Sequence, residues 1–142
     1  MAPRSIHVEL ATLKATLRER GLKATASRIA CLRYLAEHSS PVTHRELSDA
    51  LARSGLDRAT LFRNLNDLVV VGLARRTIIG GAWHFERRSD DEANHAHFVC
   101  EACGEVTCVR GVRVTVRAAT APRALKTERF EIHLSGTCDR CT

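Results

Sequence analysis

The sequence predicts an α+β protein in two parts. An N-terminal winged helix-turn-helix domain spans residues 1–87, and a small α/β unit with a four-cysteine zinc site spans residues 95–142. Three observations predict this. Apolar residues recur at helical spacing as far as residue 71, then give way to two extended runs joined at Gly80-Gly81. Two C-x-x-C pairs, Cys100/Cys103 and Cys138/Cys141, bracket the last third of the chain. The basic charge is confined to the first part: residues 1–88 hold 15 Lys/Arg against 8 Asp/Glu, while residues 89–142 hold 7 against 8.

The first helix is expected over Ser5–Arg20, with Ile6, Leu10, Leu13 and Leu17 on one stripe and Gly21 as its stop. A second is expected over residues 25–38, with Ile29, Leu32 and Leu35 inward and Cys31 beside them as a small core residue. Thr43-His44-Arg45-Glu46 is a capping box opening a third helix, with Leu47, Ala50 and Leu51 inward. Asp57 caps a fourth, in which Leu61, Leu65, Leu68 and Val69 face the core, and Arg58, Phe62, Arg63 and Asn66 face away. Leu73–Ile79 and Ala82–Glu86 form a hairpin. Helices followed by a basic hairpin is the order of a winged helix-turn-helix. Residues 58–71 would enter a DNA major groove, with Arg75 and Arg76 on the wing beside the backbone. The competing reading is a helical bundle with an incidental hairpin.

Residues 88–94 are almost devoid of apolar side chains and read as a linker. Strands are expected at His97–Cys100 and Glu105–Val109, at the alternating Val112, Val114 and Val116, and at Phe130, Ile132 and Leu134; Pro122 argues against a long helix between them.

The chain of 142 residues has 44% hydrophobic residues, which excludes a disordered polypeptide, but only 4% aromatics, so a small core gains from a metal. No stretch is long enough to span a membrane, and no signal peptide is visible. Six cysteines in that context favour metal ligation in a reducing cytoplasm over disulfides or redox motifs. Two C-x-x-C turns aim four sulfurs at one point and suit one structural, tetrahedral zinc ion per chain, held by Cys100, Cys103, Cys138 and Cys141. His95 and His97 are not needed for that ion and call for a second site.

These residues resemble the ferric uptake regulator superfamily of bacterial metal-dependent transcription factors. Leu22-Lys23-Ala24-Thr25 with Arg28 looks like the family's opening of its second helix. Ala59–Leu65 is similar to its recognition-helix motif, with Phe62 where Tyr is usual. His95-x-His97-Phe98-x-Cys100-x-x-Cys103-Gly104 with Cys138-x-x-Cys141 matches its most specific signature. The resemblance implies a homodimer on a double-stranded DNA operator, a hinge, a C-terminal dimerisation domain, and a regulatory metal near the hinge. It places DNA contacts on Arg58, Thr60, Phe62, Arg63 and Arg76.

The matching regulatory ligands are Glu86, His95, His97 and Cys108, with His84 sharing a strand face with Glu86 as an alternative. The chain departs from the pattern at Pro41, Cys108 and Phe130, where the family usually carries a His, an acid and a His, and residues 111–126 write the family's dimerisation helix poorly. A thiolate at Cys108 favours Zn2+ over Fe2+ or Mn2+. The leading expectation is a metal-dependent repressor. A peroxide or thiol-redox sensor using Cys108 is the alternative on the same scaffold. A zinc hydrolase built on His95 and His97 is the reading from another class, disfavoured because no general base is evident.

Overall fold

The computed structural model describes residues 8–88, 95–115, 117, 120, 122–126 and 130–142. The expected helix start at Ser5–His7 with Ile6, residues 89–94 of the expected linker, and Val116 lie outside them. The chain divides into two compact units, Met1–Ser89 and Asp90–Thr142.

The first unit contains α1 (Leu10–Glu19), α2 (Ala26–Glu37), β1 (Val42–Thr43), α3 (His44–Ala50), a 3-10 turn (Ala52–Ser54), α4 (Arg58–Val70), β2 (Ala74–Ile79) and β3 (Ala82–Arg87). Each helix from α2 to α4 starts on the cap its sequence offers. Thr25 accepts from the Arg28 amide, Thr43 and Glu46 form the capping box, and Asp57 accepts from the Thr60 amide. Leu13, Leu17, Leu32, Leu35, Leu47, Leu61, Leu65, Leu68 and Phe85 are fully buried in one core. Cys31 lies within it, its thiol within reach of the Leu61 carbonyl at 3.9 Å, and burial pushes its pKa up to about 12.

Two expected core positions fail. Leu10 is exposed at the start of α1, one turn before the stripe meets α2, and Ala50 is exposed at the end of α3, where the 3-10 turn leads the chain away. Strand β1 has no counterpart in the sequence pattern. It pairs antiparallel with β3, so the sheet order is β1-β3-β2, with Thr43 opposite His84. The hairpin turns at Gly80-Gly81, both with positive φ (58° and 80°), which puts Ile78 opposite Trp83 and Arg76 opposite Phe85.

The second unit has β4 (Ala96–Cys100), β5 (Val106–Val109), a single helical turn α5 (Arg123–Lys126) and β6 (Ile132–Gly136). β4 is central, antiparallel to β5 and parallel to β6. Parallel neighbours need a long crossover, and the chain between β5 and β6 supplies it. The alternation at Val112 and Val114 is not a strand: residues 112–115 carry no regular structure, because both edges of β4 are already taken by β5 and β6. Among the described residues, 111–126 hold no helix longer than α5, which begins directly after Pro122.

Candidate metal centres and nucleic-acid interface

The parallel pairing of β4 and β6 brings the two knuckles to one end of the sheet. Cys100 ends β4 opposite Gly136, and Cys138 follows two residues later. Gly104, at φ 75°, lets the first knuckle fold back: its amide donates to the Cys100 carbonyl at 2.8 Å, and the Cys100 amide donates to the Glu105 carbonyl at 2.9 Å. In the second knuckle the Cys141 amide donates to the Cys138 carbonyl at 2.9 Å.

The sulfurs of Cys100, Cys103, Cys138 and Cys141 all lie within 4.8 Å of one another, and Cys103 Sγ is 3.9 Å from Cys138 Sγ. A zinc–sulfur bond of about 2.3 Å implies a tetrahedral edge of about 3.8 Å. The spacing therefore fits a four-thiolate ion. Cys100, Cys103, Cys138 and Cys141 are all free thiols, so no disulfide competes for these sulfurs. Backbone amides, first that of Cys138 and then that of Cys103, stabilise the Cys100 thiolate and lower its pKa to about 6. Cys141 is pushed up to about 12 because its thiol hydrogen-bonds the Cys138 and Cys103 sulfurs. Sulfurs this close cannot all ionise without a cation, and a divalent metal reverses that penalty.

A second donor cluster lies further along the same sheet. His97 on β4 stands opposite Cys108 on β5, so both side chains share one face. His95 joins them, its Nε2 at 3.1 Å from His97 Nε2. One donor atom from each of His95, His97 and Cys108 lies within 4.8 Å of the others. A zinc–nitrogen bond of about 2.0–2.1 Å gives a tetrahedral edge of about 3.3 Å, close to the observed spacing of the two imidazoles. His133, on β6, is the cross-strand neighbour of His97, with ring centroids 6.0 Å apart, and its Nε2 lies 3.3 Å from the Glu131 carboxylate. On the first unit, Glu86 and His84 sit on one face of β3, and His84 Nδ1 lies 3.0 Å from the Ala82 carbonyl.

The expected nucleic-acid residues lie on the outer side of α4 and on the wing. Arg58 and Arg63 are exposed. Arg58 pairs with Asp49 at 2.7 Å, and Arg63 donates to the Thr60 hydroxyl at 3.3 Å. Phe62 is exposed and meets the His44 ring edge-on at 5.2 Å. His44 has a packing role: its Nε2 is 2.8 Å from the Arg58 carbonyl, tying α3 to the first turn of α4. Sequence reasoning missed a further link. Arg76 donates to Asn66 Oδ1 at 2.8 Å, Asn66 Nδ2 donates to the Phe62 carbonyl at 2.9 Å, and the Arg76 guanidinium lies 4.3 Å above the Trp83 ring. The diagonal offset of Arg76 and Trp83 across the hairpin was the available signal.

Comparison with known proteins identifies the lineage. The model of the ferric uptake regulator family matches residues 19–135. The peroxide-responsive repressor PerR of Staphylococcus aureus is 32% identical over 104 residues, which is 72% of this chain and 69% of the relative. The ferric uptake regulator of Vibrio cholerae superposes with a TM-score of 0.62 at 23% identity, over 88% of this chain and 98% of that one. A zinc uptake regulator complexed with zinc and DNA gives 0.60 at 17% identity, over 93% and 91%. The chain belongs to the ferric uptake regulator family, whose members are metal-responsive transcriptional regulators and not enzymes.

Proposed function

We propose that this member of the ferric uptake regulator family is a cytoplasmic, homodimeric transcriptional repressor that binds a double-stranded DNA operator when a regulatory metal is present. Cys100, Cys103, Cys138 and Cys141 hold one structural Zn2+ per chain. A second divalent ion is held by His95, His97 and Cys108, with Glu86 or His84 completing the set from the wing. Zn2+ is favoured there over Fe2+ or Mn2+, since two imidazoles and a thiolate form a softer donor set than an oxygen-rich site.

Arg58, Thr60, Phe62 and Arg63 face the major groove, and the wing carrying Arg76 follows the duplex. A ligand from each side of the hinge lets the ion select the domain angle at which both recognition helices of the dimer meet successive major grooves. Metal then tightens DNA, and DNA tightens metal by the same factor.

The observation that carries this reading is the convergence of His95, His97 and Cys108 within 4.8 Å in a unit that already has a separate four-cysteine cluster. Cobalt substitution of Cys108→Ser tests it. The wild type should show thiolate-to-cobalt absorption from two sites and the variant from the four-cysteine site alone, with DNA binding needing more added metal. Unchanged spectra and an unchanged metal requirement would remove Cys108 from the site.

A second reading is favoured by the 32% identity to a peroxide-responsive repressor. Here the Cys108 thiolate attacks one oxygen of hydrogen peroxide, the O–O bond breaks to give a sulfenic acid and release hydroxide, and the site loses its sulfur ligand. Peroxide would then release DNA from the wild type, and titration with a sulfenic-acid probe would label Cys108.

A further inference from the structure

The hairpin β2–β3 reaches beyond the helical core. Its inner end buries Phe85, but the cross-strand pair Ile78 and Trp83, one step from the turn, projects on the same face and is 53% and 45% exposed. Single exposed apolar side chains need no explanation. Two that are paired across a hairpin form a continuous patch. Trp83 is also the sole tryptophan of a chain poor in aromatics.

The patch is fixed relative to α4. Arg76, on the same hairpin face, covers the Trp83 ring at 4.3 Å and donates to Asn66 on α4, which in turn donates to the Phe62 carbonyl. The guanidinium of Arg76 is thus oriented by a hydrogen bond and a ring contact, which positions the wing against α4. Arg76 borders the patch, and Arg63 stands exposed one turn along α4 from Asn66, on a unit whose sequence is net basic. A surface that is basic at its margins and apolar at its centre matches a duplex edge. There the phosphates are anionic, while the deoxyribose rings lining the minor groove are apolar.

We infer that Trp83 and Ile78 form an apolar wing tip that packs against the deoxyribose edge of the DNA minor groove beside the recognition helix. This rests on the DNA-binding reading above. The wing then contributes more than electrostatic anchoring. Its affinity component is salt-insensitive, and it responds to minor-groove width, which varies with sequence.

The test uses the full-length, metal-loaded wild-type protein and a duplex selected by it from a random pool. Because Trp83 is the only tryptophan, its emission reports this site alone. Saturation with the duplex should shift the emission and shield Trp83 from acrylamide. Trp83→Ala should weaken binding about tenfold with an unchanged salt slope, while Trp83→Phe stays within about threefold and both melt with the wild type. Normal binding with Trp83 unshielded, or wild-type affinity in Trp83→Ala, overturns the inference and leaves the DNA reading intact. Absence of binding to any duplex overturns both. Concentration-dependent shielding without DNA, with altered oligomeric state in Trp83→Ala, would instead make the patch a contact between copies of the chain and also overturn the inference.

Discussion

Replacing Cys138 by serine should unfold the second unit and leave the first intact. Among the described residues, the second unit buries only Ala96 and Cys100 as apolar side chains, whereas the first buries a leucine-rich core closed by Phe85. Burial of one large apolar side chain contributes about 1.5–3 kcal/mol, so Ala96 and Cys100 together contribute no more than about one leucine. A structural zinc site contributes about 10–16 kcal/mol. If three thiolates and a water retained half of that, the loss would still be about 5–8 kcal/mol, comparable with the whole stability of a small domain. Hydrogen exchange resolves the two units. Amides of β4 and β6 should lose protection by about three orders of magnitude or more, while α2 and α4 stay protected. The variant should bind less zinc and be largely monomeric. Wild-type protection of β4 and β6 in a zinc-replete, dimeric variant would refute the four-cysteine assignment, and with it the claim that metal substitutes for a core.

Three further outcomes are expected. Arg58→Ala with Arg63→Ala should weaken specific DNA binding by roughly 1–3 kcal/mol for each side chain that reads a base, or reduce the salt slope if the two arginines bind phosphates; operator titrations at several salt concentrations distinguish the two. Thr43→Ala removes the side-chain half of the capping box on α3 and should cost the first unit about 1 kcal/mol, read from its denaturant midpoint. For Cys31 the unfolded thiol ionises near its ordinary value of 9.0, whereas the folded one keeps its proton to about 12. Between those values the folded state binds more protons, so first-unit stability should fall as pH rises above 9, and Cys31→Ala should flatten that slope in urea titrations.

The first unit was legible because its signals are local. Thr43 and Asp57 cap the helices they precede, the leucine stripes of α2 and α4 are inward, and Gly80-Gly81 turns the hairpin. What escaped reading there depends on neighbours distant in sequence. β1 is two residues long and exists only because β3 offers it an edge, and the Arg76–Asn66 bond joins a strand to a helix. Leu10 and Ala50 carry the right periodicity but sit at helix ends, where no partner element remains to cover them.

The second unit resists reading for a different reason. Strand alternation is informative when one face is buried against a core, and here little apolar surface is buried among the described residues. Val112 and Val114 alternate as cleanly as Ile132 and Leu134, yet only the latter pair is in a strand, because Ile132 is registered against Ala96 and Leu134 against Phe98. The cysteine spacing specifies that register better than hydropathy does: with Cys100 closing β4, Cys138 reaches the same end of the sheet only if β6 runs parallel to β4 and stops near Gly136. The four clustered cysteines therefore act as the register device that a hydrophobic core supplies elsewhere. His97 and Cys108 gain their cross-strand pairing from the same sheet. Loss of the structural ion should accordingly remove the second donor cluster as well, whereas loss of the regulatory ion should leave the four-cysteine centre standing.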